Sequence, residues 1–159
     1  MANSQSLVTA LKVDLMLAKH AFGATVVRGA TTKDTFNGAL ILASSSFGAS
    51  TAAYTGTPGS VAMSGEASGT GYTAGGAAIT NATAPTSTGT TGFWTPSASL
   101  SWSGLTLASA VDALYIYNLT TSGYPGVGVF TFGSLTITAG TLTISFPVND
   151  ASTGLVRIA

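Results

Sequence analysis

The chain offers little to do acid–base chemistry with: five Lys or Arg, five Asp or Glu, one histidine and no cysteine in 159 residues. General acid–base catalysis needs titratable groups held within hydrogen-bond reach of one another. His20 is the sole histidine, so a Ser-His-Asp site would have to be built on it, and no nucleophile-elbow motif accompanies it. A metal at His20 would need further ligands, and the carboxylates are scattered along the chain. Asp112 and Asp150 are a carboxylate pair that folding would have to bring together. Without cysteine there are no disulfides and no thiolate chemistry. The expectation is a protein that is not an enzyme, with no catalytic residue, no cofactor and no metal site.

The one stretch whose residue types stand out is 66–76, Glu-Ala-Ser-Gly-Thr-Gly-Tyr-Thr-Ala-Gly-Gly. Glu66 is the only charged residue between Asp34 and Asp112. Gly69, Gly71, Gly75 and Gly76 surround Tyr72, and glycines so placed let the backbone reach positive φ and approach other backbone closely. Gly69-Thr70-Gly71 has the look of a phosphate loop. Such a loop must open a helix, and the residues beyond it, Gly75 through Thr80 and then Thr83 and Pro85, do not sustain one. The stretch reads instead as a shaped connection between two strands, 61–67 and 77–83. The glycine-loop N–H groups are expected donors to the Glu66 carboxylate.

Charged residues make up 6% of the chain and the formal net charge is zero, against about 25% charged in ordinary globular domains. Nucleic acid is excluded as a partner, because neutralising phosphates takes clustered Lys and Arg. A membrane-spanning segment is excluded by Lys12, Asp14 and Lys19 in the apolar N-terminal stretch, which also lacks the pattern of a signal peptide. A surface this poor in charge tends to associate, so a protein partner or copies of the same chain are expected to cover much of it. Asn81-Ala82-Thr83 and Asn118-Leu119-Thr120 match the glycosylation pattern and are read as chance matches.

Taken in order, residues 1–5 read as a loose arm and residues 6–159 as one β-rich domain. A helix is predicted over 7–22, with Ser6 as its cap, Gly23 as its end, and Leu7, Leu11, Leu15, Ala18 and Phe22 on one face. His20 falls in its last turn, as a surface or hydrogen-bonded residue. Residues 36–43 predict a buried strand and 44–59 an ordered loop, a contact arm bearing Tyr54. Residues 84–96 predict a surface loop ending in Phe93 and Trp94, which cover the core edge or anchor a partner. Strands come next at 100–107, 111–119 and 127–132. In the strand at 111–119, Leu114 and Ile116 alternate with Tyr115 and Tyr117, so both faces are covered. Residues 136–147 predict a β-hairpin with its turn at Ala139-Gly140 and with Leu142, Ile144 and Phe146 inward. A short strand closes the chain at 155–159. The fold class is mainly β: a β-sandwich-like domain of immunoglobulin or jelly-roll type with one N-terminal helix.

The run 66–76 closely resembles one in a family of small virion structural proteins of tailed bacteriophages. The likeness extends to the 7–22 stretch with its Lys, Leu and His positions, to residues 34–42, and to a tyrosine before the glycine motif like Tyr54. It continues through Trp102-Ser103, Ile116-Tyr117-Asn118, Phe132-Gly133, 139–147 and 154–158, and departs at 23–33 and 86–95. The resemblance implies a virion protein, a capsid decoration or cement protein on the capsid exterior that binds the major capsid protein. It carries over no catalytic residue. Glu66, Gly69, Gly71, Tyr72, Gly75 and Gly76 carry over as motif positions, and Tyr54, Phe93 and Trp94 stand as residues for partner contact. A tail, neck or fibre component is the alternative within the virion. A carbohydrate-binding module, with Tyr54, Trp94, Trp102 and Tyr124 as an aromatic platform, is the alternative of another class. The threonine rows at Thr136, Thr138, Thr141 and Thr143 would suit an ice-binding face, but β-propensity on a solvent-facing strand explains them more simply.

Overall fold

A computed structural model of the chain describes residues 3–8, 10, 11, 15, 19, 20, 22 and 33–158. The elements delimited among the described residues are strands: β1 (Ser6–Leu7), β2 (Phe36–Leu42), β3 (Gly69–Thr70), β4 (Ala77–Ile79), β5 (Thr86–Thr88), β6 (Thr91–Trp94), β7 (Leu100–Leu107), β8 (Val111–Asn118), β9 (Gly126–Leu135), β10 (Gly140–Ile144) and β11 (Val156–Ile158). They form three antiparallel sheets, ordered β1-β9-β8-β2-β4, β10-β7-β3 and β11-β6-β5. The protein is mainly β.

The large sheet owes its place to β8. Its sequence, Val-Asp-Ala-Leu-Tyr-Ile-Tyr-Asn, is apolar or aromatic on both faces, and it lies between β2 and β9 with nearly every residue buried. Because side chains alternate between faces, Leu114 and Ile116 share one side with Phe36 and Leu40, while Tyr115 and Tyr117 share the other with Ala39 and Ile41. On the first side β7 packs down: a Cβ added at Gly38 would lie 2.8 Å from a Leu100 methyl and 2.9 Å from one of Leu114. Trp94 of β6 closes the same side at its end, its ring 5.9 Å from Phe36. On the second side the 44–76 connection folds over the sheet. Phe47 lies edge-on to Tyr115 at 5.8 Å, and Tyr54 stacks on Tyr117 at 4.4 Å.

Several expectations are corrected. Residues 3–5 are not a loose arm. Asn3 donates to Leu42 O and to the Asp112 carboxylate and accepts from the Phe47 N–H, and Ser4 N–H bonds to Phe47 O. The predicted helix is not borne out. Ser6 and Leu7, its cap and first residue, pair with Val129 and Gly128 as strand β1. Ala10, Leu11 and Leu15 carry helical backbone, but much of 8–22 lies outside the described residues. The span 61–67 is a loop with single bridges at Val61 and Glu66, and the next strand is limited to β4. Small residues at 62, 64, 65, 67 and 68 give a strand little to pack with. The surface loop predicted at 84–96 holds the β5–β6 hairpin, closed by Gly89 in the left-handed region at φ 58. Residues 136–147 do not pair with one another. β10 pairs with β7 across the chain, and Ala139 turns at φ 48 with its N–H on Thr106 Oγ1. The alternation itself holds: Leu142 is buried, Ile144 and Phe146 are half-buried, and Thr141, Thr143 and Ser145 are exposed.

Candidate functional site

Glu66 is buried, 5% exposed, and its carboxylate accepts four hydrogen bonds. Oε2 takes the Tyr54 hydroxyl at 2.7 Å and the Met63 N–H at 2.9 Å; Oε1 takes the Tyr72 hydroxyl at 2.8 Å and the Gly75 N–H at 2.6 Å. All four partners are donors, the set a carboxylate needs because it only accepts. The bonds reach four places in the sequence that share no strand. One carboxylate therefore ties together the Tyr54 loop, the Met63 backbone, and two points of the glycine stretch, Tyr72 and Gly75.

Tyr72 extends the tie into the sheet. Its hydroxyl donates to Glu66 and accepts the Leu40 N–H at 2.9 Å. β4 covers β2 only as far as Gly38. Beyond it the loop takes over the edge: Leu40 O accepts the Ala67 N–H and Leu42 N–H bonds to Gly65 O, each at 2.9 Å. The tyrosine hydroxyl stands where a neighbouring strand would supply a carbonyl, so a strand edge that would otherwise be open is closed.

The glycines permit this approach. At Gly76, φ is +74° and an added Cβ would lie 1.9 Å from Gly38 O, so no side chain fits there. Gly75 gives its N–H to Glu66 and its carbonyl to the Tyr117 hydroxyl at 2.9 Å. Gly69 pairs with Leu107, and Gly71 lies against the Gly104 carbonyl. Burial, then the Glu66 charge and hydrogen bond, push the Tyr54 and Tyr72 hydroxyls far above the usual tyrosine value. Burial lifts Tyr115 as well, and lifts Tyr117 to about 12.

Glu66, Tyr72, Gly75 and Gly76 are thus brought together at the β2 edge, while Gly69 and Gly71 lie against β7. The partner-contact reading is corrected, and Phe93 and Trp94 take the other reading, covering the core. Tyr54 (2% exposed), Phe93 (7%) and Trp94 (2%) are buried in the chain's own core and present no anchor to a partner. Tyr54 is spent on Glu66, and the Trp94 indole N–H donates to Thr83 O at 3.0 Å. Asp112 and Asp150 are engaged separately. Asp112 accepts from Asn3, while Asp150 closes its own turn by accepting from the Ser152 hydroxyl and the Ser152 and Thr153 N–H groups, which pull it down to about 2.

A second buried cluster was not anticipated. Asn118, fully buried at the end of β8, donates to Asp34 Oδ2 at 2.8 Å and to Lys19 O at 3.1 Å, and accepts the Thr120 and Thr121 N–H groups. Its amide nitrogen also lies 3.1 Å from His20 Nδ1. His20 is buried against Phe22 and Phe36, not at the surface. Asn81, also buried, donates to Asp34 O at 2.9 Å. The signal in the sequence was a polar residue ending the apolar run Leu114–Tyr117. Burial also removes both asparagines as glycosylation acceptors.

Among the described residues no group of His, Asp and Glu is placed to hold a metal, and no helix is long and apolar enough to cross a membrane. What the Glu66 arrangement does is hold loop shape. The loops it fixes expose Thr55, Thr57, Ser60, Val61, Ala62, Ser64, Ser68, Thr70 and Thr73, a surface of small uncharged residues. No protein-family model, no curated protein and no solved structure matches the chain.

Proposed function

We propose that this is a structural protein of a tailed bacteriophage virion, a decoration or cement protein that binds the major capsid protein on the outside of the shell through a β-sandwich domain. The observation that carries the reading is the distribution of charge. From residue 35 to residue 111 there is one charged side chain, Glu66, and it is buried. The loops around it are charge-free at their surface yet tied down by hydrogen bonds. Such a surface loses few ionic hydration shells on docking and gives up little loop entropy, since the loops are already ordered. It binds by shape, apolar contact and backbone hydrogen bonds, as suits a protein seated in many copies on a shell. The resemblance of residues 66–76 to virion structural proteins supports the same reading.

The carbohydrate-binding alternative loses its platform, because Tyr54, Trp94 and Trp102 are buried. The test is rebinding. Shells lacking the protein, titrated with the purified chain over a series of salt concentrations, should take it up with nearly constant affinity. Affinity that falls steeply with salt, or no uptake, would overturn the proposal.

A further inference from the structure

The loop that closes the β2 edge has no counterpart at β10. Among the described residues the three sheets end in β1, β4, β10, β3, β11 and β5. Five of these are only two or three residues long, and β11 also carries Arg157. Short strands and charged side chains are how natural sheets blunt their edges. β10 has neither device. Gly140–Ile144 is five residues long, the longest of the six, and no charged residue occurs from 113 to 149. Pro147 comes only beyond its end. β7 pairs with one side of β10. Along the other side no backbone among the described residues bonds to it. Such an edge presents unpaired N–H and C=O groups, a template for another strand.

The side chains say which strand fits. Thr141, Thr143 and Ser145 are exposed on one face, while Leu142, Ile144 and Phe146 are buried or half-buried on the other. A two-fold axis perpendicular to the sheet, standing beside β10, sets the strand antiparallel to its own copy. It also leaves each row on its own face. Hydroxyls then meet hydroxyls and apolar groups meet apolar groups, the cross-strand pairs that stabilise a sheet. The same axis brings residues near the middle of the strand against themselves, so a charge there would face its own like. The absence of charge that leaves the edge open is what self-pairing requires. The copy also covers Ile144 and Phe146, which the chain alone leaves half-exposed.

We propose that β10 pairs with β10 of a second copy of this chain about a two-fold axis at Thr143, joining two three-stranded sheets into one of six strands. Leu142, Thr143 and Ile144 pair with β7 in unbroken register, the bulge lying before them, and Thr143 is the middle of the three. Centred there, Thr143 meets the partner subunit's Thr143, Leu142 meets the partner subunit's Ile144, and Thr141 meets the partner subunit's Ser145. The pairing belongs to the free chain and does not depend on the capsid reading. So short a seam is a small interface, and the dimer forms and separates with concentration.

The test is sedimentation equilibrium of the whole chain from micromolar to millimolar concentration. The expected result is a reversible rise from the 15.7 kDa monomer toward twice that mass. Thr143→Lys and Thr143→Glu, at an exposed position, should each keep the parent's circular dichroism yet lower the association constant by about fivefold or more, since like charges then face each other across the axis. Mixing the two variants should restore association, because Lys then faces Glu. Ser64→Lys, exposed on a distant loop, should dimerise as the parent does. A parent that stays monomeric throughout would overturn the proposal and leave the edge to a strand of a different protein. Undiminished association in either Thr143 variant, a mixture that stays as weak as its components, or equal weakening in Ser64→Lys would overturn it too.

Discussion

Replacing Glu66 with glutamine changes one atom and tests the reasoning about the buried carboxylate. Glutamine keeps one oxygen and puts an NH2 group in place of the other. Tyrosine hydroxyls can turn to accept from that group, but backbone N–H groups cannot. Each carboxylate oxygen holds one backbone N–H, Met63 on Oε2 and Gly75 on Oε1. Whichever way the amide sits, one buried N–H faces another donor. An orphaned buried donor costs about 1–3 kcal/mol, and the remaining bonds lose their charge assistance, roughly another 1 kcal/mol. Easier desolvation of the neutral amide returns part of this, leaving a net loss of about 2 kcal/mol. In a chain of this size that lowers Tm by about 4–8 °C. Urea unfolding should show a lower midpoint with an unchanged slope. Ser64→Ala, at an exposed position in the same loop, should stay within about 0.5 kcal/mol of the parent. Equal or greater stability in Glu66→Gln would refute the reasoning: it would mean that burying the charge costs as much as its four bonds return.

Tyr72→Phe strips the Leu40 N–H of its acceptor and Glu66 of one donor; urea unfolding should show a loss of about 2 kcal/mol, with faster amide exchange at Leu40. Gly76→Ala places a methyl against the Gly38 carbonyl at positive φ. Strain alone costs about 1–3 kcal/mol and the clash adds more, so the variant should lose cooperative unfolding or fail to accumulate in soluble form. At alkaline pH, Tyr54, Tyr72, Tyr115 and Tyr117 are held protonated in the folded chain and ionise freely once unfolded. Their stabilisation is complete below about pH 10 and declines above it, Tyr117 giving up its share by about 12. With all four buried, the slope approaches about 5 kcal/mol per pH unit. The tyrosinate absorbance of these four should therefore rise together with loss of fold in one cooperative step, rather than before it.

Much of the sheet was legible because its strands bury both faces. The β2 and β8 sequences are apolar at almost every position, and neither glycine nor proline interrupts β8. The glycine stretch and its carboxylate were legible for a different reason: a lone charge among glycines has to be satisfied by nearby backbone. What could not be read was pairing over distance. The 136–147 alternation shows a strand but not its partner, and β7 satisfies the same pattern as a local hairpin would. Tyr54 sits in polar, turn-rich sequence that resembles surface, and only the fold buries it; for Phe93 and Trp94 the fold decides between covering the core and anchoring a partner. The N-terminal periodicity suits a helix, yet the pairing of Leu7 with Gly128 takes its first residue into the sheet. The Asn118 cluster joins groups about a hundred residues apart in sequence, beyond any local pattern.

The central claim is a place on the capsid shell, and copy number tests it most directly. In purified particles the ratio of this chain to the major capsid protein, measured by quantitative mass spectrometry, should be of the same order as one. A ratio far smaller would contradict shell decoration and place the protein at the neck, tail or fibres. Absence from particles would contradict the virion account altogether.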